Sequence, residues 1–198
     1  MTDKDKRFTE IHKTVIERCR NNDRKAQIEL YKIYHQAIFN TCLRILRNSD
    51  LSEDVMQESF ITAFEKIATF KGESTFGAWL KRIAVNKSID ELRRHLSIFQ
   101  TVDDSIMNEI PDDSDSNNKY ENENEISDKV EKIKNAMNLL PDGYRIVLSL
   151  YLFEGYDHEE IAQILEITES TSRSQYTRAR QKLLEILYHK FGMNNEMG

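Results

Sequence analysis

The sequence predicts an all-α protein of two small helical domains joined by a flexible acidic linker. The 198 residues include only six glycines and two prolines, fewer than a β-sandwich or an α/β enzyme of this size needs for its turns. Apolar residues recur at three- and four-residue spacing on both sides of a polar middle segment, as they do on one face of a helix. That middle segment has too few apolar residues to offset the entropy of ordering it.

These features divide the chain into five predicted segments. The polar middle segment is interpreted as a linker, and the alternative is a long surface loop within a single domain. The predicted boundaries are an N-terminal extension over 1–22, a first domain over 23–98, the acidic linker over 99–128, a second domain over 129–190 and a tail over 191–198.

The net charge of −6 is unevenly distributed. Ten acidic residues and one basic residue lie between Asp103 and Asp128, so the rest of the chain is net positive. The segment Leu80–Leu96 holds five basic and two acidic residues, and Thr171–Lys182 holds four basic residues and no acidic one. Because phosphate contact depends on local charge, two basic segments predict a nucleic-acid partner despite the acidic total.

Several classes of protein are disfavoured by missing patterns. No window approaches 18 consecutive apolar residues, and the N-terminal MTDKDKRF lacks the apolar region of a secretory signal. Cys19 and Cys42 form no CxxC pair and cannot build a zinc site unaided. The five histidines are scattered, and no HExxH, P-loop or GxSxG motif occurs. We therefore expect a cytoplasmic protein that has no membrane span, metal or cofactor and is not an enzyme.

The first domain is predicted to contain three main helices after a short one near residues 11–16. The first runs over about 23–48, and the second begins near Asp50, three residues before Glu53 as in a capping box. Thr75 caps the third, which ends near residue 95. The predicted inward residues are Leu30, Ile33, Tyr34, Ala37, Ile38, Cys42, Ile45 and Leu46, then Val55, Met56, Phe60, Ala63, Phe64 and Ile67, then Phe76, Trp79, Leu80, Ile83, Val85, Ile89 and Leu92.

The third helix also carries a polar stripe, whose members are Arg82, Asn86, Asp90 and Arg93. An Asn in mid-helix is a poor helix former but can hydrogen-bond a base edge. The alternative is an ordinary solvated face. Trp79 and Phe76 can stack on a flipped base, although aromatic residues at helical spacing belong more often to a core.

The second domain begins with a helix that ends at Pro141–Gly143. The apolar run Arg145–Phe153 has strand propensity, but its neighbours are helical and no partner strand is visible, so a buried helix is predicted. Gly155 then ends that predicted helix. The inward residues of the domain's first helix are predicted to be Val130, Ile133, Met137 and Leu140.

The remaining pattern is typical of a helix-turn-helix. Asp157 caps a helix over His158–Leu165 with Ile161, Ala162 and Leu165 inward, and Ile167 plugs the following turn. A last helix is predicted from Ser170 or Thr171 to about Tyr188. Its N-terminal half would reach base edges through Thr171, Arg173, Ser174, Thr177 and Arg178. The alternative is a plain helical hairpin with a basic surface.

Three motifs together resemble the sigma-70 family, and specifically its small two-domain group, the extracytoplasmic-function (ECF) sigma factors. The first reads DVMQESF over Asp54–Phe60, and the second reads FGAWLKRIAVNKSID over Phe76–Asp90. The third combines Leu140-Pro141, YDHEEIA over Tyr156–Ala162 and TSRSQYTRAR over Thr171–Arg180. The resemblance implies a region 2 helical bundle followed by a region 4 helix-turn-helix.

The resemblance also implies a role for each motif. The first motif would bind the β′ clamp helices of RNA polymerase through Asp54, Gln57, Glu58 and Phe60. The second would melt and read the minus-ten promoter element, with Asn86 capturing an unstacked base and Lys81, Arg82 and Lys87 lying near phosphates. Trp79 and Asp90 would belong to the same DNA-binding surface. The third would read the minus-thirty-five element through Thr171, Arg173, Ser174, Thr177 and Arg178.

The implied partners are core RNA polymerase, through its β′ clamp helices and β flap, promoter DNA and, as a further candidate, an anti-sigma factor. Polymerase would catalyse the reaction, and the acidic linker would pass through the polymerase channel. Two residues depart from the family pattern: Glu166 stands where Gly is usual, and Ser172 replaces an apolar residue. We expect a strained turn at the first and looser packing at the second. The alternatives are a stand-alone helix-turn-helix regulator and a helical interaction protein or enzyme with incidental basic patches.

Overall fold

A computed structural model describes residues 13–95 and 125–192 of the chain. Every regular element among these residues is helical, as predicted, and the helices form two compact units, one up to residue 95 and the other from residue 125. The predicted linker lies outside the described residues except for its last four positions. Those positions belong to a helix that begins at Glu125.

The first unit has four α-helices in its described part. They are α1, which includes residues 13–20, α2 (Arg24–Leu46), α3 (Ser49–Glu65) and α4 (Phe76–His95), with a short 3₁₀ turn at Ile67–Thr69 before α4. The helices begin where local chemistry satisfies their first amides. The Asp23 side chain accepts from two backbone amides of α2. Ala78 N donates to Thr75 Oγ1, the cap that the sequence predicts for α4.

The cap of α3 differs from the prediction. Asn48, not Asp50, is the N-cap, and its side chain accepts a hydrogen bond of 2.9 Å from Leu51 N. Because Asn is as good a cap as Asp, the cap of α3 lies two residues before the predicted one, and Asp50 falls in the first turn, where its charge favours the helix dipole.

The core of the first unit lies where α2, α3 and α4 pack on one another. Leu30, Ile45, Leu80 and Ile89 are at most 1% exposed. Ile33 and Ala37 were predicted to be inward but are exposed. Ala37 stands one residue before the buried Ile38, and Ile33 one residue before the half-buried Tyr34, so each lies about 100° around the helix from a more buried neighbour.

Helix α1 completes this core. Val15, Ile16 and Cys19 are buried, so part of the predicted extension over 1–22 is integral to the unit; the predicted Ile11 lies outside the described residues. A hydrogen bond from the Arg18 guanidinium holds the pKa of Asp23 below its usual range. Burial raises the pKa of Cys19 to about 11, which keeps this thiol protonated and unreactive.

The second unit contains α5 (Glu125–Asn138), α6 (Asp142–Ser149), a π-helical turn (Leu150–Glu154), α7 (His158–Leu165) and α8 (Glu169–Phe191). Met137, Leu140, Leu148 and Ala179 form a buried cluster. Helix α8 continues past the predicted end at Tyr188 until Gly192 takes a positive φ.

Two predictions about buried residues in this unit are wrong. Val130 is 45% exposed, because α5 buries only its C-terminal half. The run Arg145–Phe153 is buried as far as Leu150, but Tyr151, Leu152 and Phe153 are exposed. The wider π-helical turn changes the angular spacing of the side chains there, so these three leave the core face.

Arg145 is the one charged residue of the apolar run, and it lies almost fully inside the second unit. It is 2% exposed and forms an ion pair with Asp142 at 2.7 Å. A buried guanidinium without a carboxylate would be strongly unfavourable, so this pair fixes the first turn of α6.

Candidate nucleic-acid and protein interfaces

The first candidate surface is the exposed side of α3. Asp54, Gln57 and Glu58 are exposed there, while the opposite side of the same helix is buried. Gln57 Nε2 donates to Glu53 Oε1 at 3.3 Å. The result is an acidic polar surface that leaves the apolar side of the helix to the core.

A groove between α2 and α3 adjoins this surface at Gln57. Its volume is 480 Å³, and Ile28 and Ile61 on its border are 54% and 58% exposed. Single exposed apolar residues are common, but two that border one groove beside polar groups are typical of a protein-binding surface. The remaining lining residues are Arg24, Gln27, Tyr31, Phe60 and Phe64.

Phe60, a predicted polymerase contact, is only 3% exposed. Its ring lies 4.9 Å from that of Tyr31 and 6.0 Å from that of Phe64. It therefore shapes the groove wall and offers little surface of its own. Sequence reasoning missed Ile28 and Ile61, because the period of a single helix does not show that residues of two helices border one groove.

The second candidate surface is the polar stripe of α4. Arg82, Asn86 and Asp90 are exposed at successive turns, and the opposite side of α4 is held by Leu80, Ala84, Val85, Ile89 and Leu92, all buried. Asp90 pairs with Arg93 at 3.6 Å. The stripe therefore stands on a rigidly packed helix, which is suited to presenting an amide at a fixed position.

Lys87, which follows Asn86 on α4, turns toward α3. Its Nζ lies 3.2 Å from Glu58 Oε2, which links the predicted DNA surface to the predicted polymerase surface. Lys81 and Lys87 are both half-buried. No sequence rule indicates the pair, since 29 residues separate its partners.

The aromatic residues at the start of α4 form a cluster with Phe70. The Trp79 ring lies 5.3 Å from Phe70 and 5.7 Å from Phe76. Phe76 is 3% exposed and so belongs to the core, which excludes it from stacking on a base. Trp79 is half-buried and keeps one accessible side.

The third candidate surface lies on α8, the second helix of the α7–α8 pair. Asp157 and Glu160 complete a capping box at the start of α7, and Thr171 N donates to Thr168 Oγ1 at 3.0 Å at the start of α8. Between them Glu166 has a φ of 57°, in the left-handed region that favours glycine. This confirms the expected strain at that turn.

Ser172 is not loosely packed, contrary to the expectation. It is fully buried, and its Oγ lies 3.0 Å from Nδ1 of His158, across the α7–α8 contact. The His158 ring stacks on Tyr151 with centroids 4.8 Å apart and meets Tyr176 edge-on at 5.5 Å. A polar contact therefore replaces the apolar one that was expected.

The predicted DNA-reading residues of α8 divide by accessibility. Arg173, Ser174, Thr177 and Arg178 are exposed on one side of the helix. Arg173 forms an ion pair with Glu169 one turn earlier. Thr171 is half-buried, and its hydroxyl bonds to that of Thr168 at 2.7 Å, so it serves chiefly to cap the helix.

Other kinds of site receive no support in the described part of the chain. No group of three or more His, Cys, Asp or Glu side chains there is arranged to hold a metal ion. None of the described helices combines the length and apolarity that a membrane span requires.

Two all-helical units, one with a polar stripe on a packed helix and one with a helix-turn-helix, define a transcription-factor architecture. Residues 30–97 match the family model for sigma-70 region 2, and residues 131–183 match that for sigma-70 region 4.

Individual relatives agree with these matches. The chain is 31% identical over 175 residues to the ECF RNA polymerase sigma-E factor of Haemophilus influenzae, covering 85% of this chain and 91% of the relative. It is 29% identical over 168 residues to the ECF RNA polymerase sigma factor SigM of Bacillus subtilis, covering 85% and 98%.

Among the solved structures of similar fold is the sigma factor RpoE in complex with the anti-sigma factor NepR, from Bartonella quintana. Its TM-score is 0.54 at 22% identity, over 82% of this chain and 96% of that one.

The chain belongs to the sigma-70 family, within its ECF sigma factors. It accordingly binds core RNA polymerase and directs promoter-specific transcription initiation. The family matches favour this function over that of a stand-alone helix-turn-helix regulator.

Proposed function

We propose that the three surfaces divide the work of initiation between the two units. The acidic side of α3 binds the β′ clamp helices, the α4 stripe engages the opened minus-ten element, and the exposed side of α8 reads the minus-thirty-five duplex. The observation that carries the proposal is that each predicted set places polar groups on the exposed side of a helix whose other side is buried.

The proposed α3 contact is carried by Asp54, Gln57 and Glu58, with the groove beside them. Buried apolar anchors surrounded by polar groups are the usual composition of a stable protein interface, and Ile28 and Ile61 supply accessible apolar area at the border. Phe60 contributes by supporting the groove wall.

The proposed DNA contacts differ in chemistry. Asn86 offers an amide that can hydrogen-bond an unpaired base, with Trp79 nearby on the same helix, so it acts on a strand that has left the duplex. Arg173 and Arg178 lie five residues apart on α8, about one and a half turns, so both can enter one groove while addressing different base pairs.

The same proposal covers catalysis, location and regulation. The factor works in the cytoplasm with polymerase, carries no catalytic group of its own and needs no metal or cofactor. An anti-sigma factor is a further partner, supported by the complex of the similar RpoE with NepR. The β flap is a further proposed contact on core polymerase.

Charge reversal on α3 tests the polymerase contact. Asp54→Lys together with Gln57→Ala should weaken binding of the full chain to core polymerase by about 1–3 kcal/mol, because both polar contacts proposed for these side chains are then lost. Binding is measured by competition of labelled chain for core polymerase. Glu65→Lys, which changes an exposed acid at the end of the same helix, is the control. Unaltered core binding in the double variant would remove α3 from the interface.

A further inference from the structure

The ion pair between Glu58 and Lys87 joins two surfaces that the proposed function uses separately. Glu58 belongs to the proposed polymerase surface on α3, and Lys87 to the proposed minus-ten surface on α4. Their charged atoms lie 3.2 Å apart. In this arrangement neither group is fully available to an outside partner.

The acids nearest to Lys87 on its own helix are engaged with arginines. Asp90, three residues on, pairs with Arg93, and Glu91, four residues on, pairs with Arg94. Glu58, from the neighbouring helix, is the carboxylate whose oxygen lies beside the Lys87 ammonium.

The two partners differ in accessibility. The Glu58 side chain is 64% exposed, whereas that of Lys87 is 30% exposed. A protein that docks on α3 therefore meets Glu58 directly, while the stem of Lys87 is held against its own unit. Once a partner takes the Glu58 carboxylate, the Lys87 ammonium loses its counter-ion but stays at the edge of the α4 stripe.

We infer that Glu58 is an autoinhibitory competitor for the phosphate site at Lys87, and that polymerase binding at Glu58 releases Lys87 for promoter DNA. The inference rests on the proposed function of both surfaces. In the isolated chain the carboxylate occupies the place of a phosphate. Since coupling between two sites is reciprocal, DNA at Lys87 equally frees Glu58 for polymerase.

The expected coupling is modest. An exposed ion pair contributes about 0.2–1 kcal/mol, which corresponds to a change in affinity of up to about fivefold. An effect of this size shifts the order of assembly, so that the factor prefers DNA only after it has joined polymerase, without preventing either contact.

The test uses the full chain and a short single-stranded oligothymidylate as a phosphate probe, with binding followed by fluorescence anisotropy at several salt concentrations. Glu58→Gln should tighten binding about two- to fivefold. Glu65→Gln removes the same charge from an exposed position of α3 and should change it much less. In a Lys87→Gln background, Glu58→Gln should have no further effect.

Two results would overturn the inference: an equal gain in Glu65→Gln, which would indicate a general charge effect, or a gain from Glu58→Gln that persists without Lys87. A separate measurement tests the underlying function. Lys87→Gln in holoenzyme should reduce promoter opening and its salt dependence. If it reduces opening while Glu58→Gln leaves oligothymidylate binding unchanged, only the competition is wrong. If opening is normal in Lys87→Gln, the role proposed for Lys87 is itself wrong.

Discussion

The two proposed DNA-reading helices, α4 and α8, are held in different ways. Helix α4 buries Leu80, Ala84, Val85, Ile89 and Leu92, together with Phe76 and Ser88, between α2 and α3. Helix α8 is longer but buries only Ser172, Ala179 and Leu187. Its reading half depends on a cap at Thr168 and on the contact of Ser172 with His158.

This difference matches the two proposed tasks. An amide that captures a base from an opened strand gains from a rigid support, which many apolar contacts provide. A helix that enters the groove of a duplex needs only its N-terminal half to be placed correctly, and a few directional polar contacts can do this. The second unit should therefore be more sensitive to single polar changes and the first to lost volume.

The largest expected effect comes from removing core volume in the first unit. Leu80→Ala should lower its stability by about 3–5 kcal/mol, because the cavity cannot close against three packed helices. Trp79, the single tryptophan of the chain, lies in this unit, so its fluorescence during urea unfolding reports the loss. Leu148→Ala, the matched change in the second unit, should leave the tryptophan transition in place. A common shift would show that the units unfold together.

The next largest expected effect distinguishes the proposed DNA contacts of α4 from those of α8 in holoenzyme. Arg173→Ala should weaken binding to the upstream duplex by about 1–3 kcal/mol and relax base preference there. Asn86→Ala should leave that binding intact and reduce melting of the minus-ten element, measured by permanganate footprinting.

Lys190 is exposed in the last turn of α8, 17 residues after Arg173, so Lys190→Ala is the control for the duplex measurement. Normal melting with reduced duplex affinity in Asn86→Ala would make Asn86 a duplex contact. No change of either measurement in Arg173→Ala would mean that the reading side of α8 is misassigned.

A smaller effect compares two buried serines. Ser172→Ala leaves the His158 nitrogen without its partner and should destabilise the second unit by about 1–2 kcal/mol. Ser88→Ala should stay within about 0.5 kcal/mol, because that hydroxyl only bonds a carbonyl of its own helix, at 2.8 Å. Thermal unfolding followed by circular dichroism distinguishes them. Equal losses would show that burial, not the contact between helices, sets the cost.

The smallest effect compares two helix ends. Glu166 and Arg47 both terminate helices in the left-handed region, with φ of 57° and 55°. Glycine relieves that strain but adds chain entropy, so Glu166→Gly and Arg47→Gly should each stabilise their own unit by about 0.5–1 kcal/mol. Destabilisation in urea titrations would mean that the side-chain contacts at these positions outweigh the strain.

Much of the fold and of the candidate site follows from local chemistry. The caps at Thr75 and Asp157 were predictable, because a cap needs only a side-chain oxygen and an amide two or three residues away. The exposed stripe of α4 was predictable as well, because its period is that of the helix. The exposure of side chains at the ends of packed segments was not predictable, as Val130 and Leu152 show.

The sequence by itself determined the helices, most of their ends and the types of side chain on each surface, since these depend on neighbours within about one helical turn. Only the tertiary structure decided that Phe76 and Phe60 are buried, that Ile28 and Ile61 border one groove, that Ser172 meets His158 and that Glu58 meets Lys87. Such contacts join different helices and depend on how those helices rotate and pack, which the period of a single helix does not specify.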